Sequence, residues 1–231
     1  MNKKLVTKES ILISLVILLI AVIAVISLMG LQSKNKNDEI NEIKKLIWNV
    51  EEMEATVCIL PEAYTSSPDK DVPPEVEDAM YKRIVEEAKK YYSAKSGILA
   101  DRIQILQKGV KAEINSKNYR DKSSIIKKID FITIDVNGDT ATVIADVTEQ
   151  VTAVGLVPQG IDINKYKTNN KKEEMKPEMK AKLEEDIKNA PQKLVTFTPQ
   201  GTMRFYYNLA KEDGVWKITS RRGDYLPGQG P

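Results

Sequence analysis

The chain has 231 residues, 35 of them basic and 33 acidic, with one cysteine and no histidine. The missing histidine excludes Ser/His/Asp and Cys/His catalysis, imidazole-ligated zinc and a histidine pH switch. The lone cysteine excludes an intramolecular disulfide framework, an all-cysteine zinc site and an iron–sulfur cluster.

Met1 to Glu9 carries Lys3, Lys4 and Lys8 against one acid. Ile11 to Leu31, ILISLVILLIAVIAVISLMGL, follows without a charge. As a helix it would be about 31 Å long, close to the thickness of a bilayer core. It is longer than a signal-peptide core, and Leu28, Met29 and Gly30 make a poor cleavage site. The sequence therefore predicts a retained transmembrane helix over 11–31 and a short cytoplasmic tail over 1–10. The C-terminal domain is then extracytoplasmic, with the protein a single-pass signal-anchor protein of the cell membrane. Beyond residue 32 there are 32 basic and 32 acidic residues, a balance that argues against nucleic acid as a partner.

The segment 38–60 reads as a juxtamembrane helix. Ile43, Leu46, Val50, Met53, Val57 and Leu60 are spaced by threes and fours. This seam has two readings: one face packed on the chain's own domain, or a parallel coiled coil that makes a homodimer beside the membrane. Cys58 lies beside the seam. Core burial is its default, and a dimer seam would open the way to an intermolecular disulfide.

PEAYTSSPDKDVPP, residues 61–74, reads as a linker, so that 32–74 forms a juxtamembrane helix and linker. Pro73-Pro74 opens a helix whose first turn holds Glu75, Glu77 and Asp78. Val76, Met80, Ile84, Val85 and Ala88 form its apolar stripe, with Tyr91 and Tyr92 near its end. After Ser96-Gly97, a further helix is expected over Ile98–Ile114.

The period then changes. Ile129–Val136 and Thr140–Thr152 read as strands, joined at Asn137-Gly138 by a type I′ turn. Further strands are expected at Lys193–Thr198, Thr202–Ala210 and Val215–Arg221. Between them, about 159–191 is a polar insert containing NNKKEEMKPEMKAKLEED, a charged, solvated helix. LPGQGP lacks the threonine and apolar tail of a sortase signal, and 224–231 reads as a disordered tail. The fold class is α+β: helices on one face of a curved antiparallel sheet of four to six strands, forming an extracytoplasmic domain over 75–223.

Helices followed by a meander, ending in YYNLAKEDGVWKIT, resemble the nuclear transport factor two-like (ketosteroid isomerase-like) fold. The residues that carry the resemblance are Asp213, Gly214, Trp216, Lys217 and Ile218, and it covers about 75–222. Two departures stand out. Residues 115–128, where that fold has a helix, show only a short turn, and the insert is extra. With its single anchor, the layout is also similar to bitopic scaffold subunits of type IV secretion and conjugation machines. That resemblance implies envelope protein partners.

Asp135, Asn137 and Asp139 imitate the start of a calcium loop. Thr140 stands where glycine is required, and strands flank the site instead of helices, so a hairpin turn is the better reading and no metal is expected. Among the carboxylates Asp130, Asp135 and Asp146, the most inviting is Asp146. However, Val143, Ala145 and Val147 form the buried face, which leaves Asp146 on the solvated one. Tyr206 and Tyr207 point to opposite faces, so one of them is a pocket candidate, with core or rim packing the favoured role. No catalytic residue and no cofactor are assigned. The expected function is a non-catalytic interaction or scaffold module of a bacterial cell-envelope assembly. The alternative is a small-molecule-binding or carboxylate-dependent enzyme domain using a sheet–helix pocket, with a transmembrane sensor third.

Overall fold

The structure is a computed structural model in which residues 36–161 and 177–226 are described. The tail 1–10, the apolar run 11–31, the insert's residues 162–176 and the tail's 227–231 lie outside the described residues. Among the described residues, no helix is long and apolar enough to cross a membrane. The chain divides into two compact units, 1–47 and 48–231. Residues 36–57 are helical (α1), and the unit boundary falls within that helix. In the first unit Ile43 and Ile47 are buried and Leu46 is half-buried.

In the second unit, Val50, Met53, Val57 and Leu60 are buried within the single chain. The segment read as a linker is folded against the domain. It holds a 3-10 turn, Glu62–Tyr64, and a buried Thr65. Arg120 is fully buried, and its guanidinium donates to the Tyr64, Pro68 and Ser116 carbonyls at 3.0, 3.0 and 3.3 Å.

Helix α2, Pro74–Tyr91, begins with proline at its first turn, where an amide hydrogen has no helical partner to lose. Glu75 and Glu77 lie at its positive end, Lys89 and Lys90 at its negative end, and Met80, Ile84 and Ala88 are buried. Helix α3, Ile98–Asn115, follows Gly97, which adopts φ +80°. Leu106 and Val110 are its buried residues.

Five strands form one antiparallel sheet: β1 (Tyr119–Asn137), β2 (Thr140–Pro158), β3 (Gln192–Phe197), β4 (Gln200–Glu212) and β5 (Val215–Tyr225). The order is β1-β2-β4-β5. β3 and β4 pair with successive parts of β2, at Ala153–Pro158 and Thr140–Gln150. The α+β class with helices against an antiparallel sheet is thus present. Helix α4, Pro177–Asn189, falls in the insert, and none of its residues is buried.

Three expectations are corrected. Residues 119–128 are strand, not a turn. β1 carries extra residues against β2 between Asp121 and Ser123, between Ile126 and Lys128, and between Phe131 and Thr133. Each bulge reverses the in-out alternation, which hides the strand from a period-two reading. Second, β5 runs to Tyr225, so order extends into the expected tail. Third, the turn of the first hairpin is shifted by one residue and is of another type. Asn137 pairs with Thr140, so Gly138-Asp139 forms the turn. Gly138 has φ +57° and Asp139 is not among the positive-φ residues, the signature of type II′. The type I′ signature is at Asp213-Gly214, with φ +52° and +80°.

Candidate functional site

The second half of α1 meets the sheet at Tyr207 of β4 and Arg221 of β5. Val50, Met53 and Val57 are buried there, and so is Glu51. A lone buried carboxylate is costly, and the fold supplies partners. The Arg221 Nε and Nη2 donate to the two Glu51 oxygens at 2.8 and 2.7 Å. The Tyr207 hydroxyl donates to Glu51 Oε1 at 2.8 Å. One turn on, Glu54 accepts from Arg102 Nε at 2.8 Å, from Arg102 Nη2 and from the Tyr92 hydroxyl, and lies 3.1 Å from Arg221 Nη1.

The cluster thus holds two carboxylates, two guanidiniums and two phenols drawn from α1, α3, β4, β5 and the end of α2. Burial opposes the charge on Arg221, but Glu51 and Glu54 outweigh it and raise the guanidinium's pKa. Burial, then the neighbouring carboxylates, raises the pKa of Tyr92 and Tyr207, so both phenols stay protonated donors. The Arg221 guanidinium also stacks 4.0 Å from the Phe205 ring centre. That ring lies over Gly223, where an added Cβ would meet it at 2.6 Å.

Beside this cluster is an open groove of about 790 Å³. Its helical wall is Glu51, Glu54 and Ala55, and its sheet wall includes Ile126, Val147, Val151, Met203, Phe205 and Tyr225. Glu149, Gln200 and Thr202 supply polar edges. Glu149 accepts from the Ser124 hydroxyl at 2.5 Å.

Tyr207 points to the helix side and is buried under Glu51; it belongs to the cluster and not to the groove lining. Tyr206 points the other way, its ring 4.9 Å from the Arg222 guanidinium. Asp146 is on that same outer face, held by Arg204 at 2.7 and 2.8 Å. The hydrogen bonds from Arg204 hold its carboxyl below the usual range, which suits a structural ion pair and not a general acid. Among the described residues, no group of three or more Cys, Asp or Glu is placed to hold a metal ion.

Cys58 turns towards α3. Its thiol donates to the Leu106 carbonyl at 3.3 Å, and a Cβ added at Gly109 would lie 3.2 Å from Sγ. Burial first, then Glu54 and Glu113, pushes the thiol up to about 11. Such a thiol is a poor nucleophile at neutral pH.

The last hairpin shows what its sequence does. Trp216 and Ile218 are buried, and Lys217 Nζ donates to the Lys89 and Lys90 carbonyls at 3.2 and 2.5 Å, closing the C-terminus of α2. Sequence reasoning missed Glu51, Glu54, Arg102 and Arg221. One signal was available: Glu51 and Glu54 interrupt the apolar face that Val50, Met53 and Val57 define.

These features define an α+β domain with a helix-covered sheet, a neutralised buried charge cluster and an open groove beside it. No family model matches the sequence, and no curated protein matches it. Among solved structures, the chain is similar to the intermembrane space region of the chloroplast protein ARC6. The two share 12% identity with a TM-score of 0.32, over 62% of this chain and 78% of that one.

Proposed function

We propose that this chain is a non-catalytic interaction module of a bacterial cell-envelope assembly. Residues 11–31 anchor it in the membrane, residues 1–10 remain in the cytoplasm, and the domain binds its envelope partner through the groove. The observation that carries the reading is an apolar sheet wall beside a cluster whose charged groups are already partnered. Glu51, Glu54 and Arg221 are consumed by one another and by Arg102, Tyr92 and Tyr207. None of these three is free to exchange a proton with a substrate, as an acid or base catalyst must be. Here the cluster holds the walls in place, and the apolar surface beside it is what a partner meets. The nuclear transport factor two-like resemblance belongs to this proposal, supported by the Asp213-Gly214 hairpin with its buried Trp216 and Ile218.

Hydrogen exchange on the full chain tests the reading. In native membranes, amides of residues 51–55 and 200–205 exchange more slowly than in purified detergent-solubilised protein, while residues 128–133 are unchanged. Equal exchange in both preparations contradicts the proposal, as does protection confined to 128–133.

A further inference from the structure

The groove's charge distribution says what kind of segment it accepts. Its sheet wall presents Ile126, Val147, Val151, Met203 and Phe205, a surface for apolar side chains. Among the described lining residues, Arg221 is the only cation. Its guanidinium is committed to Glu51 and Glu54 and stacked on Phe205, which leaves no cation for an anionic group. Glu149 differs from the other two lining carboxylates. It is half-buried, takes one hydrogen bond from Ser124, and pairs with no cation among the described residues. A carboxylate beside apolar walls attracts a cation more strongly than one in open water, because the local dielectric is lower. The cavity is in the range that takes a drug-sized ligand, which is also the size of a few residues of extended chain.

We propose that the groove receives a short apolar peptide segment carrying one basic residue, whose cation pairs with Glu149. This rests on the interaction reading above and specifies its partner. Apolar side chains fill the space along Val147, Met203 and Phe205, and the Lys or Arg reaches the edge at Glu149. Segments with an acidic residue at that place are rejected, since Glu149 repels them and Arg221 cannot turn to meet them.

The test uses the full chain in zwitterionic detergent micelles and two fluorescein-labelled peptides, Leu-Val-Lys-Val-Phe and Leu-Val-Glu-Val-Phe, read by anisotropy. The wild type binds the Lys peptide at least about tenfold more tightly, the effect of a single well-placed charge pair. Glu149→Lys reverses the preference, Glu149→Gln abolishes it, and Glu178→Gln on exposed α4 changes nothing. Circular dichroism checks that each variant is folded. Equal binding of the two peptides, a preference that survives Glu149→Lys, or no binding up to millimolar peptide overturns the proposal. So does phenethylammonium binding as tightly as the Lys peptide, which assigns the groove to small organic cations. A dimer in sedimentation that Glu149→Lys dissociates overturns it in favour of a second copy. The interaction reading is separate: it falls only if residues 51–55 and 200–205 gain no protection in native membranes.

Discussion

Arg221 joins the helix to the sheet through several contacts at once. It neutralises two buried carboxylates, stacks on Phe205 and bears on one wall of the groove. Replacing it with methionine keeps much of the volume but strands Glu51, while Glu54 keeps Arg102 and Tyr92. Breaking a buried pair in this way costs about 3–5 kcal/mol, so Arg221→Met lowers the unfolding free energy by that amount in urea titrations. Glu51→Gln, which keeps the acceptor oxygen for Tyr207, costs less. Asp146 shows the opposite case, an ion pair on the outer face. Arg204 holds its carboxyl below the usual value, so the folded state binds that proton more weakly than the unfolded chain does. The contribution is therefore present above the unfolded pKa, near 4, and is lost as pH falls through the lower folded value. Asp146→Asn is less stable than the wild type at pH 7, and the gap closes in acid. A constant gap in thermal melts across that range contradicts the assignment.

At the scale of elements, the helices were legible and the start of the sheet was not. α2 begins at Pro74, whose fixed φ suits a first turn, and α3 follows Gly97, which adopts φ +80° without a Cβ clash. β1 escaped notice because Lys122, Lys127 and Ile132 are the extra residues of its bulges and break the alternation. The same bulges, with the lysines, blunt an edge strand of 19 residues against pairing with other chains. The cluster was hidden for a different reason. Glu54 and Arg102 are 48 residues apart, Glu51 and Arg221 are 170 apart, and each looks like a solvated charge when read locally. The contact of α3 with Cys58 gives a test at this scale. Gly109 sits in a helix interior, where alanine is favoured by about 1 kcal/mol. In the wild type, the new Cβ would lie 3.2 Å from Sγ, and that crowding offsets the gain. In a Cys58→Ala background the obstruction is gone, so Gly109→Ala stabilises by about 1 kcal/mol there. A double-mutant cycle with no coupling contradicts the packing.

For the whole molecule, the opening arithmetic takes on a structural meaning. Without histidine, the chain's interior polar chemistry is written in Glu, Arg and Tyr, and in the cluster those groups are spent on one another. The carboxylate singled out from sequence, Asp146, is tied to Arg204 on the outer face, and of the two paired tyrosines the buried one supports the cluster. What sequence reasoning did reach was the class of the domain. It could not reach the groove, whose walls come from one helix and four strands far apart in the chain. The central claim is that this groove is the binding face of a membrane-anchored domain. Site-specific photo-crosslinking in the cells of origin tests it most directly, with the photoreactive residue at Met203 in the groove or at Ile132 on the exposed edge strand. The account predicts a discrete adduct from position 203 that is lost when Ala55→Trp fills the groove, and none from position 132. An adduct from position 132 alone, or one at 203 that persists with the groove filled, would contradict it.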